Sequence, residues 1–166
     1  QLFGGENLHQ WLQAEKTNLN RALRSVINKN VMICTPVQQM VRELIGTRAN
    51  RYKDGVMNVS RSRANTIVRT AVNAITNEAR NQVYTNNADI IKGKEWLATL
   101  DTRTSDICIS LDGAQWNLDN EAIGTNKKPW RGPPPAHPNC RSTIVPIVKS
   151  WSELNQNPAI AKKLKR

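Results

Sequence analysis

Two short clusters of side chains that can bind a metal or act as nucleophiles stand out in the second half of the chain. The first reads Ser105-Asp-Ile-Cys108 and the second reads His137-Pro-Asn-Cys140. In each cluster two residues separate the outer pair, and at this spacing one turn presents both side chains to a common point, as in zinc knuckles. Cys108, His137 and Cys140 are good zinc ligands, whereas the Ser105 hydroxyl is a poor one.

The residues alone leave three interpretations of these clusters open. Three ligands and a water form the arrangement of a catalytic zinc, which would make the chain a hydrolase. In the second interpretation, His137 activates the thiol of Cys140 or Cys108 as a nucleophile. The third is a core of buried thiols around a hydrogen-bonded histidine. The sequence favours this third interpretation, with no cofactor, over bound zinc, because Ser105 stands where a fourth ligand is needed.

Charged residues and a turn surround the two clusters. Asp101 and Arg103 precede the first cluster, Asp112-Gly113 follows it, and Arg141 follows the second. We expect the aspartates and arginines to pair and so to fasten the turn near residue 101 to the His-Pro-Asn-Cys-Arg turn. Aspartates could instead hold Mg²⁺ for phosphodiester cleavage, but no other motif supports a nuclease. Asp-Gly is a strong turn signal, so a strand should return after it.

The elements that position these residues are predicted to form an α+β fold. Residues 1–92 read as a basic helical region, because apolar residues recur there at helical spacing. The predicted helices span about residues 7–29, 35–46 and 60–87. The third is the longest, and its apolar positions run from Ala64 to Val83. Cys34 lies among apolar residues between the first two helices, and we expect it to be a small core residue.

Residues 93–150 are predicted to form a compact domain with a short sheet of three or more strands. Strands are expected at residues 94–100, 114–118 and 143–148, with Trp96 and Ala98 on one face. The last strand is rich in β-branched residues, so we expect it to pair in the interior of the sheet. Residues 151–166 read as a short helix followed by a basic tail.

The net charge of +11 is high for 166 residues and is unevenly distributed. Residues 1–92 carry +7, residues 93–150 carry +1 and residues 151–166 carry +3. Such a balance implies a polyanionic partner or, with equal weight, solvated helix faces. No base-reading motif is present, so any contact with double-stranded DNA would be made through its phosphates. The candidate contact residues are Arg61, Arg63, Arg69, Arg80, Lys162, Lys163, Lys165 and Arg166, with Asn65, Asn73, Asn77 and Asn81 adding amide hydrogen bonds on the same helix.

The cysteine count and the hydropathy limit the class of protein further. Three cysteines, an odd number, argue against a disulfide framework and suit a reducing compartment. No apolar run approaches about 18 residues, so we predict no membrane segment. The chain begins with Gln1 rather than Met, as a processed product or a part of a longer chain would.

The order of motifs from Trp96 onward resembles a known signature. W-L-A-T-L-D-x-R-T, then C-x-x-L-D-G and then H-P-N-C-R is similar to the C-terminal signature of bacteriophage minor head proteins, the head-morphogenesis family similar to Mu protein F. A long Arg- and Asn-rich helix precedes the signature in that family, so the resemblance covers residues 60–148. The family usually has C-x-x-C in the first cluster and a further Cys after the Arg, where this chain has Ser105 and Ser142.

This resemblance implies a structural virion protein rather than an enzyme. Such proteins are minor head components of tailed phages that act with portal and capsid proteins in head assembly, and some contact packaged or ejected DNA. The expected partners are therefore portal, capsid and sister copies, and the expected location is the capsid interior or portal vertex, with the host cytoplasm during assembly. A metal- or Cys-dependent hydrolase or nuclease, or a non-specific DNA-binding module, is the alternative.

Overall fold

The computed structural model describes residues 2–3, 6–57 and 59–156, with side chains described from residue 17 onward. Contacts along the chain divide it into two compact units, residues 1–72 and residues 73–166. The division falls inside the third helix, whereas composition alone predicts boundaries near residues 92 and 150. Each unit is described by itself below.

The described elements make an α+β fold, as predicted from the sequence. In chain order they are β1 (Leu2–Phe3), β2 (Glu6–Asn7), α1 (Leu8–Met32), α2 (Val37–Ile45), α3 (Arg61–Asn86), β3 (Ile91–Leu97), α4 (Asp106–Leu111), β4 (Gln115–Asn117), β5 (Ala122–Ile123), β6 (Thr143–Val148) and α5 (Trp151–Asn155). The three predicted long helices are confirmed. The two-residue strands β1, β2 and β5 were not predicted, because a segment this short shows no alternation of apolar and polar residues.

The core of the first unit is formed by α2 and the beginning of α3. Val41 and Leu44 of α2 are fully buried, and they pack with Ala64 and Val68 of α3. These positions are three or four residues apart on each helix, so each pair lies on one face. Cys34 is exposed and has a φ of 54° in the turn after α1. Its prediction as a core residue is wrong, because α1 continues to Met32 and leaves Cys34 in the turn.

A loop closed by one carboxylate follows α2. Asp54 accepts hydrogen bonds from the backbone N–H and hydroxyl of Thr47, at 2.8 Å each, and from Asn50 at 2.9 Å. The Thr47 backbone bond, with the Asn50 and Thr47 side chains, lowers the pKa of Asp54 to about 2. Gly46 ends α2 with a φ of 83°, and a Cβ on Gly55 would lie 2.4 Å from the Gly46 nitrogen. Both positions therefore require glycine.

The second unit contains a four-stranded antiparallel sheet in the order β5-β4-β3-β6. The central strand is β3, in which Trp96 lies opposite Ile144 of β6. The predicted interior position of β6 is wrong, because β6 is an edge strand of this sheet. Pro146, in the middle of β6, has no backbone N–H to donate, and proline in a strand is typical of an edge. The β-branched composition of β6 was therefore a weaker indicator of its position in the sheet than its proline.

The outer edge of β6 is covered by α3 rather than by another strand. Asn77 accepts a hydrogen bond from the Ile144 N–H at 3.2 Å, and the Tyr84 hydroxyl donates to the Ile144 carbonyl at 3.1 Å. Both backbone groups of Ile144 thus point away from β3. Because this orientation alternates along an antiparallel strand, Pro146 occupies the next outward position. The edge therefore offers no free donor at either residue.

Candidate metal centre and its surroundings

The structure brings the two predicted clusters together. The ligand atoms of Cys108, His137 and Cys140 all lie within 4.8 Å of one another. The two Sγ atoms are 3.6 Å apart, and His137 Nε2 lies 3.2 Å from Cys108 Sγ. The Ser105 hydroxyl lies 2.8 Å from His137 Nε2. One sulfur pair, one imidazole and one hydroxyl thus converge from positions that are 32 residues apart in sequence.

Two short turns position these four side chains. Ser105 caps the N-terminus of α4, and its Oγ accepts a hydrogen bond from the Cys108 N–H at 3.3 Å. The second turn is closed by the Cys140 N–H, which donates to the His137 carbonyl at 3.1 Å. Asn139 adopts a positive φ of 59° within this turn, a conformation that Asn tolerates better than most residues. The Ser-x-x-Cys and His-x-x-Cys spacings are therefore those of a helix start and a tight turn.

The hydrogen bond of the second histidine nitrogen defines the tautomer of His137. Nδ1 lies 2.9 Å from the Pro138 carbonyl oxygen, which can only accept a hydrogen bond. Nδ1 therefore carries the proton in the neutral ring, and Nε2 directs its lone pair at Ser105 and Cys108. This is the tautomer in which Nε2 acts as a ligand or as a hydrogen-bond acceptor.

Both thiols of the cluster are buried, and the surroundings of Cys140 lower the pKa of its thiol. Burial raises the pKa of the Cys140 thiol, but hydrogen bonds with backbone groups of Ala136 and Ser142 lower it. The side chains of Ser142 and Cys108 act in the same direction, and the net pKa lies below its ordinary value. Ser142 is itself buried, so this serine supports the cluster at the position where the resemblance expects a further cysteine.

The expected pairing of aspartate and arginine is seen at Asp101. Arg141 donates two hydrogen bonds to the Asp101 carboxylate, at 2.6 and 2.5 Å. The Arg103 backbone N–H adds a third at 2.9 Å, and its guanidinium lies 3.6 Å away. The Arg141 pair, followed by the Arg103 backbone bond, holds the pKa of Asp101 well below its usual range. The turn after β3 is thus fastened to the turn that carries Cys140.

Asp112 makes a different contact from the arginine pairing predicted for it. Its carboxylate accepts a hydrogen bond from the Ala98 N–H at 2.7 Å, and so fastens the end of α4 to the strand end beside it. Gly113 has a φ of 70° and donates its N–H to the Trp96 carbonyl at 2.9 Å. The Asp-Gly turn is therefore confirmed, and its aspartate serves the backbone instead of an arginine.

The basic residues proposed for DNA contact are distributed over both units. Arg61, Arg63 and Arg69 are exposed on the part of α3 that belongs to the first unit. Arg80 is exposed in the second unit and donates to the Thr143 hydroxyl at 2.5 Å. The remaining candidates, Lys162, Lys163, Lys165 and Arg166, lie outside the described residues.

Three of the four asparagines predicted to share the exposed face of α3 with these arginines face the sheet instead, whereas Asn65 bonds the Arg61 carbonyl within the helix. Asn77 is fully buried, and Asn73 donates to the Cys140 carbonyl at 2.7 Å. Asn81 accepts a hydrogen bond from Lys94 at 2.8 Å. The reason is that α3 covers a strand edge, where backbone groups need polar partners from the helix. Val83, predicted on the apolar face, is exposed for the same reason.

Lys94 is a buried cation that the sequence analysis missed. Its Nζ donates to Asn81 and to Asn120 at 2.8 and 2.7 Å, and it lies 4.0 Å from the centre of the Trp130 ring. Burial lowers the pKa of Lys94, and the charge of Glu78 opposes that shift. Lys94 and Trp96 alternate along β3, and Ala98 continues the alternation just beyond its end. This alternation with the predicted inward positions of Trp96 and Ala98 was the available signal for the burial of Lys94.

An aromatic cleft of about 500 Å³ lies beside the cluster in the second unit. Trp96, Trp116 and Trp130 line it, with Lys128 and Arg131 among its other residues. Trp116 Nε1 donates to the Lys128 carbonyl at 2.7 Å, whereas Trp96 Nε1 has no hydrogen-bond partner among the described residues. Trp116 and Trp130 meet edge to face, with their ring centroids 5.0 Å apart.

Comparison with known proteins identifies the family of the chain. The model of a family described as phage Mu protein F like protein matches residues 7–145, most of the chain. The chain therefore belongs to this phage head-morphogenesis family. Neither the curated proteins nor the solved structures gave a significant match. Among the described residues, no helix is long and apolar enough to cross a membrane.

Proposed function

We propose that the chain is a minor head component that assembles with the portal and capsid proteins of a tailed bacteriophage and acts by binding. The observation that carries this proposal is the family match over residues 7–145, which includes the long helices and the whole Cys/His cluster. A protein of this kind is a virion component, present in the host cytoplasm only during assembly.

Exposed apolar side chains at one end of the sheet support a binding role. Ile91 pairs with Val148, and the Lys149 N–H donates to the Ile90 carbonyl, so these residues lie close together. Val148 is 52% exposed and Trp151, three residues on, is 70% exposed. Exposed large apolar side chains, tryptophan above all, are typical of protein–protein contacts. We assign this end of the sheet to contact with another head protein.

The burial of the cluster supports binding over thiol catalysis. A nucleophilic thiol must reach its substrate, but Cys108 is 2% exposed and Cys140 is 5% exposed. Both thiols also contact groups of the protein itself. The arrangement is that of a structural cluster inside the second unit.

DNA contact is a second part of the proposal and rests on charge. Residues 1–72 hold 11 basic and four acidic side chains, a net charge of +7. Arg61, Arg63 and Arg69 are exposed there. Exposed guanidinium groups suit contact with phosphates that does not depend on base sequence.

The virion role is tested in the phage that encodes the chain. We expect an antibody to detect the chain in gradient-purified particles, and an amber mutation in its gene to give defective heads alongside normal tails. Trp151→Glu should lower the amount incorporated several-fold while the purified protein stays folded by circular dichroism. The control is Asn155→Glu in the same helix, which should be incorporated normally. Absence of the chain from particles, together with normal heads in the amber mutant, would refute the proposal.

A further inference from the structure

We propose that Cys108, His137 and Cys140 bind one Zn²⁺ in a structural site, with an oxygen as the fourth ligand. That oxygen comes from the Ser105 hydroxyl or from a water molecule held by it. The site goes beyond the virion role and does not depend on it. Its function is to join α4 to the turn at residues 137–141, inside the second unit.

The spacing of the donor atoms fits tetrahedral zinc. With Zn–S bonds of about 2.3 Å and Zn–N bonds of about 2.0 Å, tetrahedral geometry places two sulfurs about 3.8 Å apart and a nitrogen and a sulfur about 3.6 Å apart. The corresponding distances here are 3.6 Å between the sulfurs of Cys108 and Cys140, and 3.2 Å between His137 Nε2 and Cys108 Sγ. These two pairs therefore need to separate by less than about 0.5 Å to bind the ion. The third pair, His137 Nε2 and Cys140 Sγ, lies within 4.8 Å.

The surroundings of His137 are also those of a ligand. Its Nδ1–H donates to the Pro138 carbonyl, which fixes the ring and leaves Nε2 facing the two sulfurs. Metal-bound histidines almost always make such a second hydrogen bond through the other nitrogen. In a cluster without metal, the Ser105 hydroxyl, 2.8 Å from Nε2, would donate a hydrogen bond to the same nitrogen instead.

The local architecture explains why this region needs a metal link. Between α4 and the turn at residue 137, the chain forms only β4, with three residues, and β5, with two. The small cluster around Trp96 and Trp116 provides the core. A small domain with a limited core gains stability from a metal that joins distant segments. Ser105 led to the prediction of a cluster without metal, whereas the convergence of the other three donors favours zinc.

Metal content tests the site directly. The full chain is purified under reducing conditions without chelator, and its zinc is measured by elemental analysis. We expect about one zinc per chain in the wild type and loss of zinc in Cys108→Ser, Cys140→Ser and His137→Asn. The matched control is Cys34→Ser, which removes an exposed thiol outside the cluster and should keep the metal.

A gain-of-ligand variant keeps the test informative where loss variants fail to fold. Ser105→Cys would supply a third thiolate at the fourth position, and we expect it to lower the zinc dissociation constant at least tenfold in a chelator competition. Cobalt substitution should add a thiolate charge-transfer band in the same variant. An unchanged dissociation constant and spectrum would refute the position assigned to residue 105.

Two results would overturn the proposal as a whole. The first is metal-free wild-type protein whose reduced form also fails to bind added Co²⁺. The second is a disulfide between Cys108 and Cys140, seen as one free thiol per denatured chain instead of three under non-reducing conditions. In either case the cluster would be a thiol pair around a hydrogen-bonded histidine, and the result would not bear on incorporation into virions.

Discussion

At the scale of single residues, Asp101 combines three contacts on one carboxylate. Arg141 binds both of its oxygens, and the Arg103 backbone supplies a further donor. These contacts favour the ionised form, so the folded-state pKa lies below the ordinary value of 3.8. The contacts of Asp101 therefore contribute their full stabilisation of the folded state above pH 3.8. This stabilisation is lost as the pH falls through the folded-state pKa.

We predict that Asp101→Asn weakens the response of the second unit to acid. The variant should melt a few degrees below the wild type at pH 7, because the pair lies near the surface. As the pH falls below 3.8, the difference between the two proteins should shrink, because the wild type loses what the variant already lacks. Thermal melts at several pH values measure this difference.

The control for this prediction is Asp119→Asn, which changes an exposed aspartate outside these contacts. Asp54 and Glu153, whose pKa values are lowered to about 2 by their own hydrogen bonds, keep the same response in all three proteins. A constant difference between wild type and Asp101→Asn from pH 7 to pH 2 would contradict the assignment.

The sequence predicted much of the site at this scale. The spacing of Ser105 with Cys108 and of His137 with Cys140 indicated a shared point, because each pair fits one turn. The pairing of Asp101 with Arg141 followed from the local balance of charges. The burial of Lys94 was not predicted, because lysines are almost always exposed. Only the three-dimensional structure shows the two side-chain amides and the tryptophan ring that compensate the buried charge.

At the scale of elements, the contact between α3 and the edge of β6 is an unusual kind of helix–sheet packing. A helix usually covers a sheet face with apolar residues, whereas here Asn77 and Tyr84 bond the backbone of a strand. Asn77 also accepts from the Thr143 hydroxyl at 2.8 Å. A polar residue on a helix can thus be buried as a hydrogen-bond partner of backbone groups. Residue polarity alone therefore predicted, wrongly, that this face of α3 is exposed.

We predict that Asn77→Ala destabilises the second unit by about 1–3 kcal/mol, because the buried Ile144 N–H loses its acceptor. Denaturant unfolding measures the change. The control is Asn65→Ala on the same helix, whose amide bonds the Arg61 carbonyl within that helix. Both changes gain about the same helix propensity, so their difference isolates the strand contact. Equal stability of the two variants would show that the edge contact contributes nothing.

The helices were predictable and the sheet was only partly so. A period of 3.6 residues persists over many turns of α1 and α3, and the resulting signal is strong. The strands are short, and β-branched composition does not say how many neighbours a strand has. For β6, Pro146 carried that information, because an interior strand must donate on both sides.

At the scale of the whole molecule, the charge of the first unit is the property that composition predicted most directly. We expect Arg61→Glu, Arg63→Glu and Arg69→Glu together to weaken binding of double-stranded DNA. If all three contact phosphates, the slope of log affinity against log salt should become shallower by about 2.7. Fluorescence titrations over a salt series measure this slope.

The matched control reverses the charges of Lys127, Lys128 and Arg131 by substitution with Glu. These residues are exposed in the second unit, and the triple variant has the same change in net charge. Equal weakening by both triple variants would show that binding follows net charge and not this surface. Unchanged binding in both would remove DNA from the proposed function and leave the contact with head proteins unaffected.

The covered edge of β6 also affects how copies of the chain can associate. A strand edge with free donors and acceptors lets molecules add one after another, and each addition exposes a new edge of the same kind. Here Ile144 is already bonded to α3 and Pro146 has no donor to offer, so this edge is a poor template for such growth. Fibre growth through the β6 edge is therefore disfavoured, and association on this side of the sheet is left to side-chain contacts. In the role proposed above, this property suits a protein that joins a particle with a fixed size and a fixed number of places.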